Sequence, residues 1–495
     1  MLEAFVLDSA AHLRARCPPR AMASSPPDAA DDAHLHDWPA VYALSAGWAL
    51  SFSVVTASIT ATNLASSAFS PSASWNTVPL AFLIVSLSAW SLALPSLFAR
   101  LGGRLNTYRV TSVVGVAASA IAAVACATES FGALCVSSAL FGLPAAAGQS
   151  FRFAVLTLVP PRSRPKCIGL VLTGGIVGAV IGPSYAAASK NVFRGAPFAG
   201  VYLCTGVAFA LLLGIVCAPG LVTFPSEGGD VAGDVTGDEG DIEGASGGSD
   251  DVPNGVVTAL VEKEKKEKKE PTSAVVFAAR DVGYVCAVVI AALSYGAMSF
   301  LMSPTPLAMR QRGFSFDTVS HVITSHMLGM YAPSFVTGKA VGVFGWRPVA
   351  AAGAALFVVA GVAMRDGQSV AHYAGGQLTL GVAWNLCFVA ATAEVARVSL
   401  IAAEKAGGGG ASKAKSAQKT QALADVATFA VAGAASVGSG AALAAVGWNR
   451  MQIVGWACAG LMLVAVGVAA VGRGDAKTPA SSEEEGGSPL GDNKA

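Results

Sequence analysis

The long apolar runs of this sequence contain very few ionisable side chains, and those few are the first candidates for chemistry. Arg152 stands between two phenylalanines, and its permanent charge could bind an anionic group or alternate with a carboxylate in a gate. The competing interpretation is an arginine that extends to the membrane surface. His326 could titrate near neutral pH and couple protons, or it could be a hydrogen-bonded interior histidine.

Further candidates lie in the second half of the chain. Asp425, near the start of the eleventh apolar run, is either a protonatable coupling group or a helix N-terminal carboxylate that backbone amides stabilise. Asn385, beside Trp384, could hydrogen-bond a bound solute or a neighbouring helix. Glu394 and Arg397 are three residues apart, which predicts an ion pair on one face of a helix.

Metal, nucleotide and covalent chemistry find no support in the residue spacing. His321 and His326 are five residues apart and fall on different helix faces, so a shared metal site is not expected. The nine cysteines include no C-x-x-C pair, and we interpret them as small packing residues. The sequence has no P-loop, no nucleotide fingerprint and no nucleophile–base constellation. We therefore expect no enzyme, no cofactor and no metal.

Composition identifies the elements that must position these residues. The chain has 495 residues, of which 53% are hydrophobic and only 13% are charged, and its mean hydropathy is +0.57. This composition excludes a conventional soluble enzyme and predicts an all-α polytopic membrane protein, with apolar runs long enough to cross a bilayer. The twelve predicted spans are about 40–63, 76–99, 108–127, 131–158, 166–189, 197–221, 282–308, 317–340, 348–364, 372–397, 421–447 and 451–472.

The polar segments divide the spans into two groups of six. We expect a soluble N-terminal tail at 1–38, six-helix bundles at 39–222 and 281–473, a disordered charged cytoplasmic linker at 223–280 and a polar C-terminal tail at 474–495. The N-terminal tail could alternatively be a targeting peptide, and the lysine run of the linker could attract anionic lipid. The distribution of lysines and arginines among the loops favours a cytoplasmic location for both termini and for the linker. The net charge of +1 gives no argument for a nucleic-acid partner.

Two loops carry related motifs. The loop after the second span and the loop after the eighth both contain Gly-x-Arg, and at this point the chain resembles the major facilitator superfamily. That superfamily has the pattern G-x-x-x-D-R-x-G-R-R/K at both places. Ala99 and Gly342 replace its acidic residue, and Pro95 replaces its first glycine. The alternative is a set of purely topogenic charges. The positions that match the pattern, and that the resemblance assigns to an inner gate, are Arg100, Gly102, Arg104, Gly338, Gly345 and Arg347.

The fifth span matches a second pattern. Gly169, Gly178, Gly182 and Pro183 resemble the fifth-helix motif that the superfamily associates with antiporters. The competing interpretation is plain helix packing, because small residues recur every four positions here and form a smooth face. Pro183 removes a backbone hydrogen bond and favours a kink.

The resemblance implies a monomeric secondary transporter in which two six-helix bundles rock around a midplane site and move a small solute through the lipid bilayer. The fifth-helix motif favours proton-linked antiport or efflux. The alternatives are a uniporter or symporter for a metabolite and a non-transporting membrane sensor or scaffold. The scarcity of intramembrane charge favours a substrate that is neutral, apolar or singly charged. The sequence does not distinguish a location in the plasma membrane from one in an organelle membrane.

Overall fold

Each predicted span coincides with a helix or a pair of helices in the computed structural model, which describes residues 38–155, 158–159, 164–224, 272–365, 369–407 and 410–471. These residues form helices and short turns, and no strand occurs among them. Because apolar segments satisfy all their backbone hydrogen bonds internally only as helices or closed barrels, this is the architecture that the hydropathy requires. Most of the predicted linker and both predicted tails lie outside the described residues.

Seven α-helices form the described part of the N-terminal half. They are α1 Trp38–Phe69, α2 Val78–Arg100, α3 Arg104–Ala127, α4 Phe131–Gln149, α5 Phe151–Ala154, α6 Arg164–Ser189 and α7 Ala199–Cys217. The fourth predicted span is divided between α4 and the short α5. Ser130 begins α4, and its hydroxyl accepts a hydrogen bond from the Ala133 amide, as expected of an N-cap serine.

Eight helices form the described C-terminal half. They are α8 Thr272–Arg280, α9 Val282–Met302, α10 Thr305–Gln311, α11 Phe316–Tyr331, α12 Ser334–Phe344, α13 Trp346–Arg365, α14 Val370–Ala406 and α15 Gly410–Val471. The seventh and eighth spans are each broken, at Pro304 and at Pro333, where proline lacks a backbone donor. The last two spans share α15, which bends at Gly447 with a φ of 74°.

Nine helical segments among the described residues are long and apolar enough to span a membrane. One of them, Ser416–Val471, covers two predicted spans. The protein is therefore an all-α polytopic membrane protein, and the nine segments are consistent with the predicted twelve helices.

Two boundaries differ from the sequence interpretation. Residues 272–280, predicted as disordered linker, form α8, because Ala274 and Ala278 lie one turn apart and are fully buried against the bundle. The eleventh helix was expected to begin near residue 421, but α15 begins at Gly410. The lysines of this region are therefore helical, Lys405 in the last turn of α14 and Lys413, Lys415 and Lys419 within the first ten residues of α15.

Alternating connections define two ends of the bundle. We call the end where α2 meets α3 and α12 meets α13 the linker end. The opposite end, with connections 70–77, 190–198 and 312–315, is the distal end. Within the halves, α1 packs along α6 and α9 along the first part of α15. None of the eight described cysteines forms a disulfide bond, and four of them, Cys126, Cys167, Cys286 and Cys387, are buried.

Candidate functional site

The two Gly-x-Arg motifs form similar turns at the linker end. Gly102 has a φ of 71° and Gly345 a φ of 83°, values that glycine adopts without a steric penalty. The guanidinium carbon of Arg104 lies 5.8 Å from the ring centroid of Phe98. Arg100 is exposed and Gly338 is inside α12. Arg347, the second residue of α13, is half-buried. Both motif glycines thus have a positive φ, but the helix after the turn begins at Arg104 in the first copy and one position earlier, at Trp346, in the second.

The fifth-span glycines pack against α1. A Cβ atom at Gly178 would lie 2.5 Å from the Ala49 carbonyl oxygen, and one at Gly182 would overlap Ser53 and Thr56. The Thr56 hydroxyl also donates a hydrogen bond to the Gly178 carbonyl, at 3.0 Å. Contacts this close between helices require the absence of side chains. Gly169 and Pro183 belong to the same helix, which continues without interruption through Pro183.

Hydrogen bonds join the two halves near the distal end. The Asn63 amide donates to the Ser303 carbonyl at 2.5 Å, where the break after α9 leaves carbonyls without helical partners. The Thr77 hydroxyl donates to the Val437 carbonyl at 3.4 Å and accepts from the Gly440 amide at 3.0 Å. These bonds tie α1 and the start of α2 to the C-terminal half.

Charges from both halves meet closer to the linker end. Arg152, on α5, interacts electrostatically with Asp425 on α15 and with Tyr295 and Tyr331 of the C-terminal half. Its guanidinium carbon also lies 4.7 Å from the ring centroid of Phe153. Arg152 and Asp425 are both half-buried. Thus the packing of the halves brings the predicted arginine and the predicted carboxylate, 273 positions apart in the chain, within electrostatic range of each other.

Aromatic rings form the apolar part of this site. The Tyr295 ring contacts Trp384 edge-on, with centroids 5.3 Å apart, and it also contacts Phe388 and Phe429. Trp384 stacks on Phe388 at 4.9 Å. Such surfaces bind planar, conjugated groups, while one cation and one acid can orient polar substituents. We call Arg152, Tyr295, Tyr331, Trp384 and Asp425 the central site.

The central site also reaches the first helix. Tyr331 contacts Phe52 of α1 edge-on, with ring centroids 4.9 Å apart, and Phe52 stacks on Trp48 at 5.4 Å. Aromatic side chains of both halves therefore border the site, on the N-terminal side through Phe52 and on the C-terminal side through Tyr331 and Tyr295. A solute held between them would contact both halves at once.

Asn385 lies in the C-terminal half and hydrogen-bonds the broken eighth span. Its side-chain oxygen accepts from the Thr337 hydroxyl at 2.6 Å, and its amide donates to the Met330 carbonyl at 2.8 Å and the Ser334 hydroxyl at 2.7 Å. Asn385 is fully buried. Of the two open interpretations, these bonds correspond to contact with a neighbouring helix, and a substrate role stays a prediction.

His326 is also fully buried, at the contact between α11 and α14. Its Nδ1 donates to the Gln377 carbonyl at 2.9 Å, and its Nε2 has no hydrogen-bond partner among the described residues. The Gln377 side chain in turn donates to the Thr305 hydroxyl at 2.6 Å. The histidine therefore joins α11 to α14, and the Gln377 side chain joins α14 to α10. A role of His326 in proton transfer stays a prediction.

The position of Asp425 removes one of its two interpretations. Gly410 begins α15 fifteen residues before Asp425, and no acidic residue occupies the first turn. At 1.5 Å per residue the carboxylate lies about 22 Å from the helix N-terminus, too far to interact with its free amides. The predicted Glu394–Arg397 ion pair is confirmed, with two nitrogen–oxygen distances of 2.7 Å.

The sequence interpretation missed the aromatic wall of the central site. Trp384 was noted only as the neighbour of Asn385, and Tyr295, Tyr331, Phe388 and Phe429 were not selected. One signal was present: Trp384 and Phe388 are four residues apart, so they share a helix face. Apolar packing explains that spacing equally well, and the convergence with Tyr295 depends on a different helix.

Comparison with known proteins decides the family. No family model matches the chain. A curated relative, the riboflavin transporter RfnT of Brucella anthropi, is 31% identical over 320 residues, which cover 64% of this chain and 71% of the relative. The chain belongs to the major facilitator superfamily. Two uncharacterized MFS-type transporters of Bacillus subtilis, YddS and YdeG, are 27% and 25% identical over 54% and 52% of this chain, and over 57% and 55% of their own lengths.

Solved structures agree on the fold. The crystal structure of a D-xylose–proton symporter aligns with a TM-score of 0.61 at 13% identity, covering 87% of this chain and 97% of the symporter. A bacterial homologue of the human lysosomal transporter Spinster, inward-facing and unoccupied, gives 0.56 at 14% identity, covering 88% and 95%. This facilitator is therefore an integral multi-pass membrane protein of the transporter class and not an enzyme.

Proposed function

We propose that this facilitator is a monomeric secondary transporter that moves a small solute by alternating access through the central site. The observation that carries the proposal is the electrostatic interaction between Arg152 and Asp425, which come from opposite halves. A solute that binds both residues links the halves, so its binding and release can bias their relative movement. Proton or substrate binding at Asp425 would change the attraction between the halves.

The substrate that best fits the central site is planar, conjugated and of low net charge. Tyr295, Trp384 and Phe388 supply ring faces and edges for stacking, and Arg152 supplies a guanidinium that binds carbonyl or anionic substituents. Riboflavin has this chemistry, because its isoalloxazine ring is flat and carries carbonyl groups. The 31% identity to a riboflavin transporter supports the same choice.

For coupling, we propose proton exchange at Asp425. A carboxylate in the bilayer interior is costly, so its protonation state can follow the conformation of the halves. The fifth-helix glycine motif favours antiport over symport by resemblance. The direction of proton movement relative to the solute distinguishes antiport from symport, and flux that is indifferent to a pH gradient indicates a uniporter.

Proteoliposomes with a trapped pH dye test these proposals. Riboflavin uptake is followed by extraction and flavin fluorescence, under an imposed pH gradient and without one, for wild type, Arg152→Gln and Asp425→Asn. We expect Arg152→Gln to lower riboflavin flux by at least about tenfold, because it removes a charged contact in a partly desolvated site. We expect Asp425→Asn to abolish substrate-triggered proton movement while downhill flux persists.

The matched controls are Arg280→Gln and Glu404→Gln, which change exposed residues of the same charge outside the central site. Both should transport riboflavin at the wild-type rate. Wild-type riboflavin flux no greater than in empty liposomes would contradict the substrate assignment. Unaltered flux and coupling in both central-site variants would contradict the site.

A further inference from the structure

Three residues form a compact cluster at the distal end. Lys190 directly follows α6 in the N-terminal half, Phe198 directly precedes α7, and Phe316 begins α11 in the C-terminal half. The Lys190 ammonium lies 5.2 Å from the Phe198 ring centroid and 4.9 Å from that of Phe316. The two rings meet edge-on, with centroids 5.5 Å apart and planes at 77°. One cation thus contacts aromatic rings of both halves.

The backbone around the cluster holds Phe198 in place. Phe198 has a φ of 69°, in the left-handed region that side-chain-bearing residues rarely adopt. Its amide donates to the Lys190 carbonyl at 2.9 Å, which closes the 190–198 connection on itself. Such a conformation persists only when surrounding contacts determine it. The two rings are almost completely buried, with exposed fractions of 8% for Phe198 and 5% for Phe316.

The surroundings of Lys190 favour a ring contact over a simple ion pair. Burial lowers the pKa of the Lys190 ammonium, the nearby Arg310 lowers it further, and the exposed Asp317 opposes both effects. The ammonium has therefore lost part of its water. Cation–π attraction strengthens when the cation is desolvated, so the two rings compensate a cost that the single carboxylate does not offset.

We propose that Lys190, Phe198 and Phe316 form a latch, the distal latch, that holds the two halves of the transporter together at the distal end and must open when the central site faces that side. This inference rests on the alternating access proposed above. Opening separates Lys190 and Phe198, which move together, from Phe316. The ammonium then exchanges one ring for water, a small change that permits reversible opening.

The latch acts beside the hydrogen bonds that close the same end. Asn63 and Ser303 link α1 to the break after α9, and Thr77 links the start of α2 to α15. Amides in 58–69 and 300–315 therefore report opening of this end, whereas amides in 96–108 report the linker end.

Hydrogen–deuterium exchange of the full chain in lipid nanodiscs measures this opening without any substrate. Exchange in the two distal peptides is compared between wild type, Lys190→Gln, Lys190→Arg and Phe316→Leu. Because exchange follows the population of the open form, we expect Lys190→Gln and Phe316→Leu to accelerate it about two- to fivefold. Lys190→Arg, which keeps a cation for the rings, should stay near wild type. Exchange in the double variant Lys190→Gln/Phe316→Leu should not exceed that of the faster single variant, because both changes remove the same contact between Lys190 and Phe316.

Arg194→Gln and Phe193→Leu are the matched controls, since both residues are exposed in the same connection and should leave exchange unchanged. Wild-type exchange in Lys190→Gln would overturn the latch. So would equal acceleration in the 96–108 peptide, which indicates general loosening, or an equal effect of Arg194→Gln. None of these outcomes depends on riboflavin flux, so the latch and the substrate assignment fail separately.

Discussion

The two halves join their central helices by different means. In the N-terminal half, α6 meets α1 through Gly178 and Gly182, whose missing side chains allow backbone to touch backbone. In the C-terminal half, α14 is joined to the broken eighth span by the side chain of Asn385, which makes three hydrogen bonds across the break at Pro333. The first contact depends on the absence of side chains at two glycines, and the second depends on the polar atoms of the Asn385 side chain.

This difference has a structural cause. The fifth span is a continuous helix, in which only Pro183 lacks a backbone donor, so a smooth face is sufficient for packing. The eighth span is interrupted, so carbonyl and hydroxyl groups near the break need partners inside the bilayer. Asn385 supplies them. The comparison predicts that the two contacts respond to opposite kinds of substitution.

The largest effect is expected for Gly182→Leu. The added side chain would overlap Ser53 and Thr56, and backbone atoms of α1 do not rotate away as a flexible side chain does. Overpacking of this kind costs about 3 kcal/mol, a large part of the stability of a typical protein. We expect a large decrease in melting temperature and a lower yield of monodisperse protein, as measured by thermal melting and size-exclusion chromatography in detergent. Gly214→Leu is the control, because a Cβ atom there meets nothing within 4 Å. Normal folding of Gly182→Leu would remove the basis of the comparison.

An intermediate effect is expected for Asn385→Leu. The substitution keeps the approximate volume but leaves the Met330 carbonyl and two hydroxyls without their partner. At roughly 0.6 kcal/mol for each hydrogen bond inside a membrane protein, the loss is about 2 kcal/mol. A lower melting temperature with retained folding is the expected result. Thr379→Val is the control, since Thr379 is half-buried on the same helix and its hydroxyl donates to the Gly375 carbonyl of that helix. If Asn385→Leu melts like wild type, the polar contact is not what joins these helices.

The smallest effects are expected at the glycine turns of the linker end. Gly102→Ala and Gly345→Ala each place a side chain at a positive φ. This costs about 1 kcal/mol at Gly102 and more at Gly345, whose ψ of 163° lies in a region that essentially only glycine occupies. Both variants should melt at a lower temperature than wild type, and the decrease should be larger for Gly345→Ala. Gly132→Ala and Gly342→Ala, helical positions with open space around them, are the respective controls and should not be destabilised. An equal or larger decrease for Gly102→Ala would contradict this difference between the two turns.

The central site could be anticipated only in part. Arg152 and Asp425 stand out because charge is rare in apolar runs, and this signal does not depend on knowing the fold. Their proximity was not predictable, because it arises from the packing of the two halves against each other. The aromatic residues were not predictable either, since Tyr295 and Phe429 resemble ordinary apolar packing residues in the sequence. Only the packed helices bring Trp384 and Phe429 against the Tyr295 ring.

The distal latch shows the same limit for local structure. Nothing in the pattern of residues 190–198 indicates that Phe198 adopts a left-handed backbone or that its ring faces Phe316. By contrast, the glycines of the turns at 102 and 345 were visible as a repeated motif, because a positive φ selects glycine directly.

Hydropathy and spacing were sufficient for the helical class, the two groups of spans, the glycine face of the fifth span and the Glu394–Arg397 pair. Each of these depends on one segment, whose burial or periodicity follows from its own residues. The course of α15 through Asp425, the bonds of Asn385, the central site and the distal latch required the packed structure. They depend on contacts between segments far apart in the chain, and such contacts leave no periodic trace in either segment alone.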